Sequence, residues 1–192
     1  MFDEDDDDDY EFDDDDYEFD DDEYYFDDED DELDYFEIEE MVKEMPLYKK
    51  GLEIQEVVNA LAGLMPEEDE YLQFMKDEMV YDAGLLTVKI ISAEMSELYD
   101  VKMEAATFIR KAARDLMVIH HSFEMFDFKE VEYFKIVRDL VEEYRLLFID
   151  WVTGFDKWDY VIDRWGLFNP PGVTPFDKDP DEDIPWSEED WF

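Results

Sequence analysis

The chain of 192 residues carries 61 acidic and 16 basic side chains, two histidines and no cysteine, for a formal charge of −45. That balance works against direct binding to nucleic acid or to anionic membranes, because phosphate recognition relies on clustered Lys and Arg that release counterions. Without cysteine, a disulfide framework, a thiolate metal site and a cysteine nucleophile are all excluded.

The charge is unevenly spread. Residues 1–40 hold 27 acids and no Lys or Arg, residues 41–173 hold 26 acids and 15 bases, and residues 174–192 hold eight acids and one base. The first stretch repels itself and cannot bury enough apolar surface to offset its chain entropy, so disorder is expected through residue 40. Aromatic residues punctuate the acid on a regular beat: Tyr10 and Phe12, Tyr17 and Phe19, Tyr24 and Phe26. Solubility alone does not require them. They point to a basic partner with apolar niches, against the plainer alternative of a brush that only solubilises the protein. The acidic opening is unlike a secretory signal peptide, and no run of about 18 apolar residues marks a membrane span. A soluble, cytoplasmic protein is the expectation.

Residues 41–173 are long enough for one domain with a core. Glycine is scarce, and between Pro46 and Pro170 the only proline is Pro66, a spacing that suits long helices. A first helix is predicted at about Leu47 to Leu64, with Ile54, Val57, Val58, Leu61 and Met65 on one face. A second opens on Pro66 and its following acids and runs to about Leu98, with Leu72, Met75, Met79, Leu86, Ile90, Ile91, Met95 and Leu98 inside and Gly84 as a kink or close crossing.

The third, Val101 to His121, turns Ala105, Phe108, Ile109, Ala112, Leu116 and Ile119 inward. The fourth, Glu130 to Val152, shows Phe134, Val137, Leu140, Val141, Tyr144, Leu147, Phe148 and Trp151 as a continuous stripe. A short fifth helix, Phe155 to Trp165, is expected to lay Trp158, Val161, Ile162 and Trp165 across one end of the bundle, with Leu167 and Phe168 pinning the exit. The fold class is all-α: an antiparallel four-helix bundle with a short fifth helix and disordered acidic tails, needing no metal or cofactor.

Met65-Pro66-Glu67 at the end of the first helix, the run Lys89-Ile90-Ile91-Ser92-Ala93-Glu94 and the two helices that follow carry a resemblance. Residues 52–152 resemble the four-helix-bundle family named after the intervening sequences of bacterial 23S ribosomal RNA genes. The resemblance implies a ring-forming helical bundle, and a homo-oligomer is therefore left open. Its relatives' basic surfaces do not fit this acidic chain.

A second resemblance is shorter. The segment Asp183-Ile184-Pro185-Trp186, echoed by Asp190-Trp191-Phe192, is similar to the acidic tip of bacterial single-stranded-DNA-binding proteins. It implies a docking device in which apolar residues fill a pocket and carboxylates meet a basic rim. The physics agrees: carboxylates speed encounter with a cationic face, and a buried ring slows release.

Enzymatic chemistry has thinner support. Glu94, Glu97 and Asp100, with Glu67, Glu68 and Glu70 upstream, are candidate Mg²⁺ ligands of the sort all-helical nucleotide hydrolases use. In so acidic a chain such spacings arise by chance. His120 and His121 are neighbours that point apart on a helix, which argues against a shared metal. Arg110, Lys111 and Arg114 form a basic cluster suited to Glu104, Asp115, a neighbouring subunit or the chain's own acidic tail.

The reading that results is a non-enzymatic interaction protein. Its two tails (residues 1–40 and 174–192) bind basic surfaces of nucleic-acid-associated proteins, in one form by mimicking a nucleic-acid backbone. The alternatives are a metal-dependent nucleotide hydrolase and a structural subunit whose tails only solubilise.

Overall fold

The computed structural model describes residues 28–66, 68–126 and 128–179. They form six α-helices: α1 (Asp28–Glu44), α2 (Pro46–Ala62), α3 (Glu70–Glu94), α4 (Tyr99–Val118), α5 (His120–Met125) and α6 (Phe134–Thr153), the last entered through a 3-10 turn at Val131–Tyr133. There are no strands among the described residues. The protein is an all-α bundle whose four principal helices are α2, α3, α4 and α6. No helix among the described residues is long and apolar enough to cross a membrane.

Each principal helix packs on two of the others, α2 on α3 and α6, and α4 on α3 and α6. Side-chain pairs give the directions. Lys102 near the start of α4 meets Glu94 at the end of α3, and Trp151 at the end of α6 meets the same Glu94. Sequence neighbours therefore run antiparallel while α3 and α6 lie parallel across the diagonal. Most of the expected stripes supply the core: Ile54 and Val58, Met79, Leu86 and Ile90, Ile109 and Leu116, and Val137 and Tyr144 are all fully buried, whereas Met95 and Phe108, expected inside, are exposed. Phe123 of α5 closes one end by stacking on Phe134, with centroids 4.8 Å apart.

Several boundaries differ from expectation for identifiable reasons. Helix α1 begins inside the stretch expected to be disordered through residue 40. Val42 is fully buried and Ile38 packs against the same core, on the α2–α3 side, which gives this acidic helix apolar cover. Helix α3 starts at Glu70 instead of Pro66, because the Asp69 carboxylate accepts from the Tyr71 and Leu72 amides and so caps the helix there. Gly84 is not a crossing point. A Cβ there would meet only Gln55 Nε2, at 3.8 Å.

The expected fifth helix from Phe155 to Trp165 does not form. The short helix of the fold is α5, and residues 155–179 instead make an irregular strap over the end where α4 begins and α6 finishes. Ile162 is buried as anticipated, but Trp158, Val161, Trp165 and Leu167 are exposed. The cause is local aspartate chemistry, described next.

Candidate interaction surfaces

Aspartates redirect the backbone of the strap. The Asp156 carboxylate accepts from the Trp158 amide at 2.9 Å, and Asp163 accepts from the amides of Trp165, Leu167 and Phe168 at 2.8, 2.7 and 2.9 Å. The Val161, Ile162 and Asp163 amides donate to Asp100, Asp179 and Asn169 side chains. These N–H groups would have closed helical turns; carboxylates and an amide oxygen take them instead. The backbone N–H of Phe168, with those of Leu167, Trp165 and Gly166, holds the Asp163 carboxyl below the usual carboxylate range.

Arg164 lashes the return limb. Its guanidinium donates to the Pro175 and Asp177 carbonyls and to the Asp179 carboxylate. Gly166 sits at φ 74°, where a Cβ would lie 2.7 Å from Pro175 Cγ, so only glycine fits. The Tyr99 amide, an orphan donor at the start of α4, reaches the Asp159 carbonyl at 2.7 Å and ties the strap to the bundle.

On this fixed frame three rings point into solvent. Trp158 is 89% exposed, Trp165 91% and Phe176 94%. Trp165 lines a cleft of about 500 Å³ between strap and α4, together with the acids Asp100, Glu104 and Asp163, the base Arg164, and Leu167 and Phe168. Carboxylates and the Trp165 ring thus share one surface. The sequence reading lays Trp158 and Trp165 across one end of the bundle; the placement of Asp156 and Asp163 was the missed signal.

A second surface lies between α4 and α6, a groove of about 510 Å³ with an apolar floor that includes Ala113, Met117 and Phe148. Arg110, Arg114 and Arg145 line it. Arg145 is paired with Glu142 of its own helix at 2.8 Å. Among the described residues neither Arg110 nor Arg114 has a hydrogen-bond or ion-pair partner. Lys111, the third member of the expected basic cluster, points elsewhere and pairs with Asp115 at 2.6 Å.

Among the described residues, which leave out Glu67, the candidate Mg²⁺ ligands are not brought together. Glu94 accepts from Trp151 Nε1 at 2.6 Å and from Lys102 Nζ at 3.2 Å, while Asp100 holds the Val161 amide. Among the described residues, the donor atoms that do converge belong to His120, His121 and Glu124, within 4.8 Å of one another. The histidine ring centroids lie 3.9 Å apart with the planes inclined by 37°, contrary to the expectation that they point apart, since α4 ends at Val118 and the helical phase resets at Ile119. Burial, followed by the charges of His121 and Arg138, lowers the His120 pKa. Two of the three residues are exposed.

The thirteen residues assigned from sequence to partner binding, Tyr10, Phe12, Tyr17, Phe19, Tyr24, Phe26, Asp183, Ile184, Pro185, Trp186, Asp190, Trp191 and Phe192, lie outside the described residues. No protein-family model, curated protein or solved structure matches this chain.

Proposed function

We propose that this is a non-enzymatic interaction protein that presents acid-and-ring surfaces to the basic face of a protein partner, of the kind carried by nucleic-acid-associated proteins. The observation that carries the reading is the strap, where Trp158, Trp165 and Phe176 stand exposed on a hydrogen-bonded frame and Trp165 lines a carboxylate-bearing cleft. Tryptophans carried on an ordered backbone have only two side-chain torsions to lose on binding, and Trp is among the commonest interface anchors. Asp100, Glu104 and Asp163 steer a cationic side chain toward the indole of Trp165, where cation–π attraction adds to charge pairing.

The tails extend the same chemistry, with residues 1–27 and 180–192 supplying further acid and aromatic residues. A partner whose basic face otherwise holds a nucleic-acid backbone would meet a comparable density of negative charge here.

The test is a titration of the full chain with a Lys- and Arg-rich peptide containing Leu and Val, followed by calorimetry at low and at high salt. Binding is expected to weaken with salt and, at constant salt, to weaken by more than about tenfold in Trp158→Ser/Trp165→Ser, since each well-packed Trp contributes on the order of 1–2 kcal/mol. Affinity unchanged by the double substitution overturns the reading.

A further inference from the structure

We infer that the groove between α4 and α6 is the docking site for the chain's own segment 180–192, which would hold that segment back from external partners. The groove supplies both halves of the required chemistry. Its floor is apolar, and Arg110 and Arg114 have no partner among the described residues although acids greatly outnumber bases in the chain. A volume of about 510 Å³ is within the range that accepts aromatic groups.

Segment 180–192 is the complement. It holds six acids and no base, and among them stand Trp186, Trp191 and Phe192. Indole or phenyl rings would cover the Ala113, Met117 and Phe148 floor while flanking carboxylates pair with Arg110 and Arg114 in bidentate fashion.

Geometry favours this segment. Asp179 accepts from the Ile162 amide, and the adjacent Val161 amide donates to Asp100 in the first turn of α4. Segment 180–192 therefore departs from beside the start of the helix that forms one wall of the groove. Asp100 to Arg114 spans about 21 Å of helix at 1.5 Å per residue, and the step from Asp179 to Trp186 reaches roughly 23 Å when extended. Helix α1, which follows residues 1–27 in the sequence, packs on α2 and α3. A second copy is a poorer occupant, because two chains each carrying −45 repel.

The inference shares its acid-and-ring chemistry with the proposed function but rests on a different surface, so the two fail separately. The experiment uses a fluorescent peptide of residues 180–192 as probe and the full chain bearing Trp186→Ser, Trp191→Ser and Phe192→Ser as receptor. The emptied groove is expected to take the peptide, the native chain to take it at least tenfold more weakly, and added Arg110→Glu/Arg114→Glu to abolish uptake.

Both arginines are exposed, so the helical melt should stay unchanged, and the milder Arg110→Gln/Arg114→Gln pair should give a smaller loss of the same sign. No uptake by the triple-Ser chain, or uptake indifferent to the arginines, overturns the inference. So does native self-association abolished by Arg110→Glu/Arg114→Glu, which would place a second copy in the groove. Cationic-peptide binding is expected to strengthen when the arginines are replaced and the segment is released, while its weakening in Trp158→Ser/Trp165→Ser reads the strap independently.

Discussion

The hydroxyl of Tyr144 on α6 donates to the Leu86 carbonyl of α3 at 2.8 Å, deep in the core. Burial drives the phenol pKa far above its ordinary value, so the group remains a donor at any working pH. The approach is open because Gly51 of α2 stands at the crossing. A Cβ there would lie 2.9 Å from Thr87 Cγ2, 3.4 Å from the Leu86 carbonyl and 3.5 Å from the Tyr144 ring. Helix propensity alone would make Gly51→Ala stabilising by about 1 kcal/mol. The clash is expected to win, with a net loss of roughly 1–3 kcal/mol. Tyr144→Phe should cost about 1 kcal/mol, since Leu86 retains its helical acceptor role. Urea unfolding of the two variants measures both, and a more stable Gly51→Ala would refute the tight crossing.

Glu94 is the junction of three elements, holding Trp151 of α6 and Lys102 of α4 from the end of α3. Lys102 in turn sits 5.7 Å from the centroid of Phe155 at the start of the strap. Glu94→Gln keeps an acceptor for the indole but loses the charge, for an expected cost near 1 kcal/mol. Glu94→Ala leaves a half-buried ammonium and an indole N–H without their partner, and roughly 2–3 kcal/mol should be lost. Thermal unfolding checks the order Ala below Gln below native. With its oxygens engaged in this way, Glu94 is expected to matter to stability and not to turnover. A nucleotide panel with Mg²⁺ should show no hydrolysis in either the native or the Gln chain.

The bundle was legible because burial at a 3.6-residue period leaves a trace in one helix at a time: Ile54 and Val58, or Val137, Val141 and Tyr144, show a face without knowledge of what covers it. The strap was misread for the same reason. Trp158, Ile162 and Trp165 fall at helical spacing, yet Asp156 and Asp163 sit where their carboxylates capture the amides such a helix would need. Gly84 was read as a kink or close crossing, whereas the tight crossing is at Gly51; which glycine faces a neighbour depends on how each helix is rotated in the bundle. The groove left no trace at all, since its walls on α4 and α6 come together only when the chain is folded. What could be read was a basic cluster of Arg110, Lys111 and Arg114 suited to Glu104, Asp115, a neighbouring subunit or the chain's own acidic tail, without the groove that two of the three line.

Asp82 gives the bundle a pH-dependent weakness. Burial, the neighbouring Asp115 and Glu78 raise its carboxyl to about 6 against the partial relief that Lys111 supplies. A folded pKa above the unfolded one means that ionisation costs more in the native state. The stability tied to the neutral acid is fully present below about 4 and is lost as pH rises through about 6. Asp82→Asn should therefore stabilise at pH 7.5, by about 1 kcal/mol after discounting for solvent screening, with the gain shrinking toward pH 4. Melting temperatures of both chains between pH 4 and 8 test the sign. A gain that grew on acidification would contradict it.

Asp163 separates the strap from the bundle energetically. Its carboxylate receives three backbone amides between Trp165 and Phe168, whereas the bundle core does not depend on it. Asp163→Ala removes every one of those acceptors and frees the residues around Gly166 to sample other conformations, while Phe155 and Ile162 keep their buried seats. Local loosening without global unfolding is the expected result: faster hydrogen exchange at Trp165, Leu167 and Phe168, earlier proteolytic nicking in 163–177, and a melting temperature close to native. If display of Trp158 and Trp165 on a fixed frame is what binds a cationic peptide, this substitution should weaken that binding although both rings are untouched, because the rings must then be ordered on binding. Intact affinity combined with fast exchange would mean that the strap need not be rigid to work.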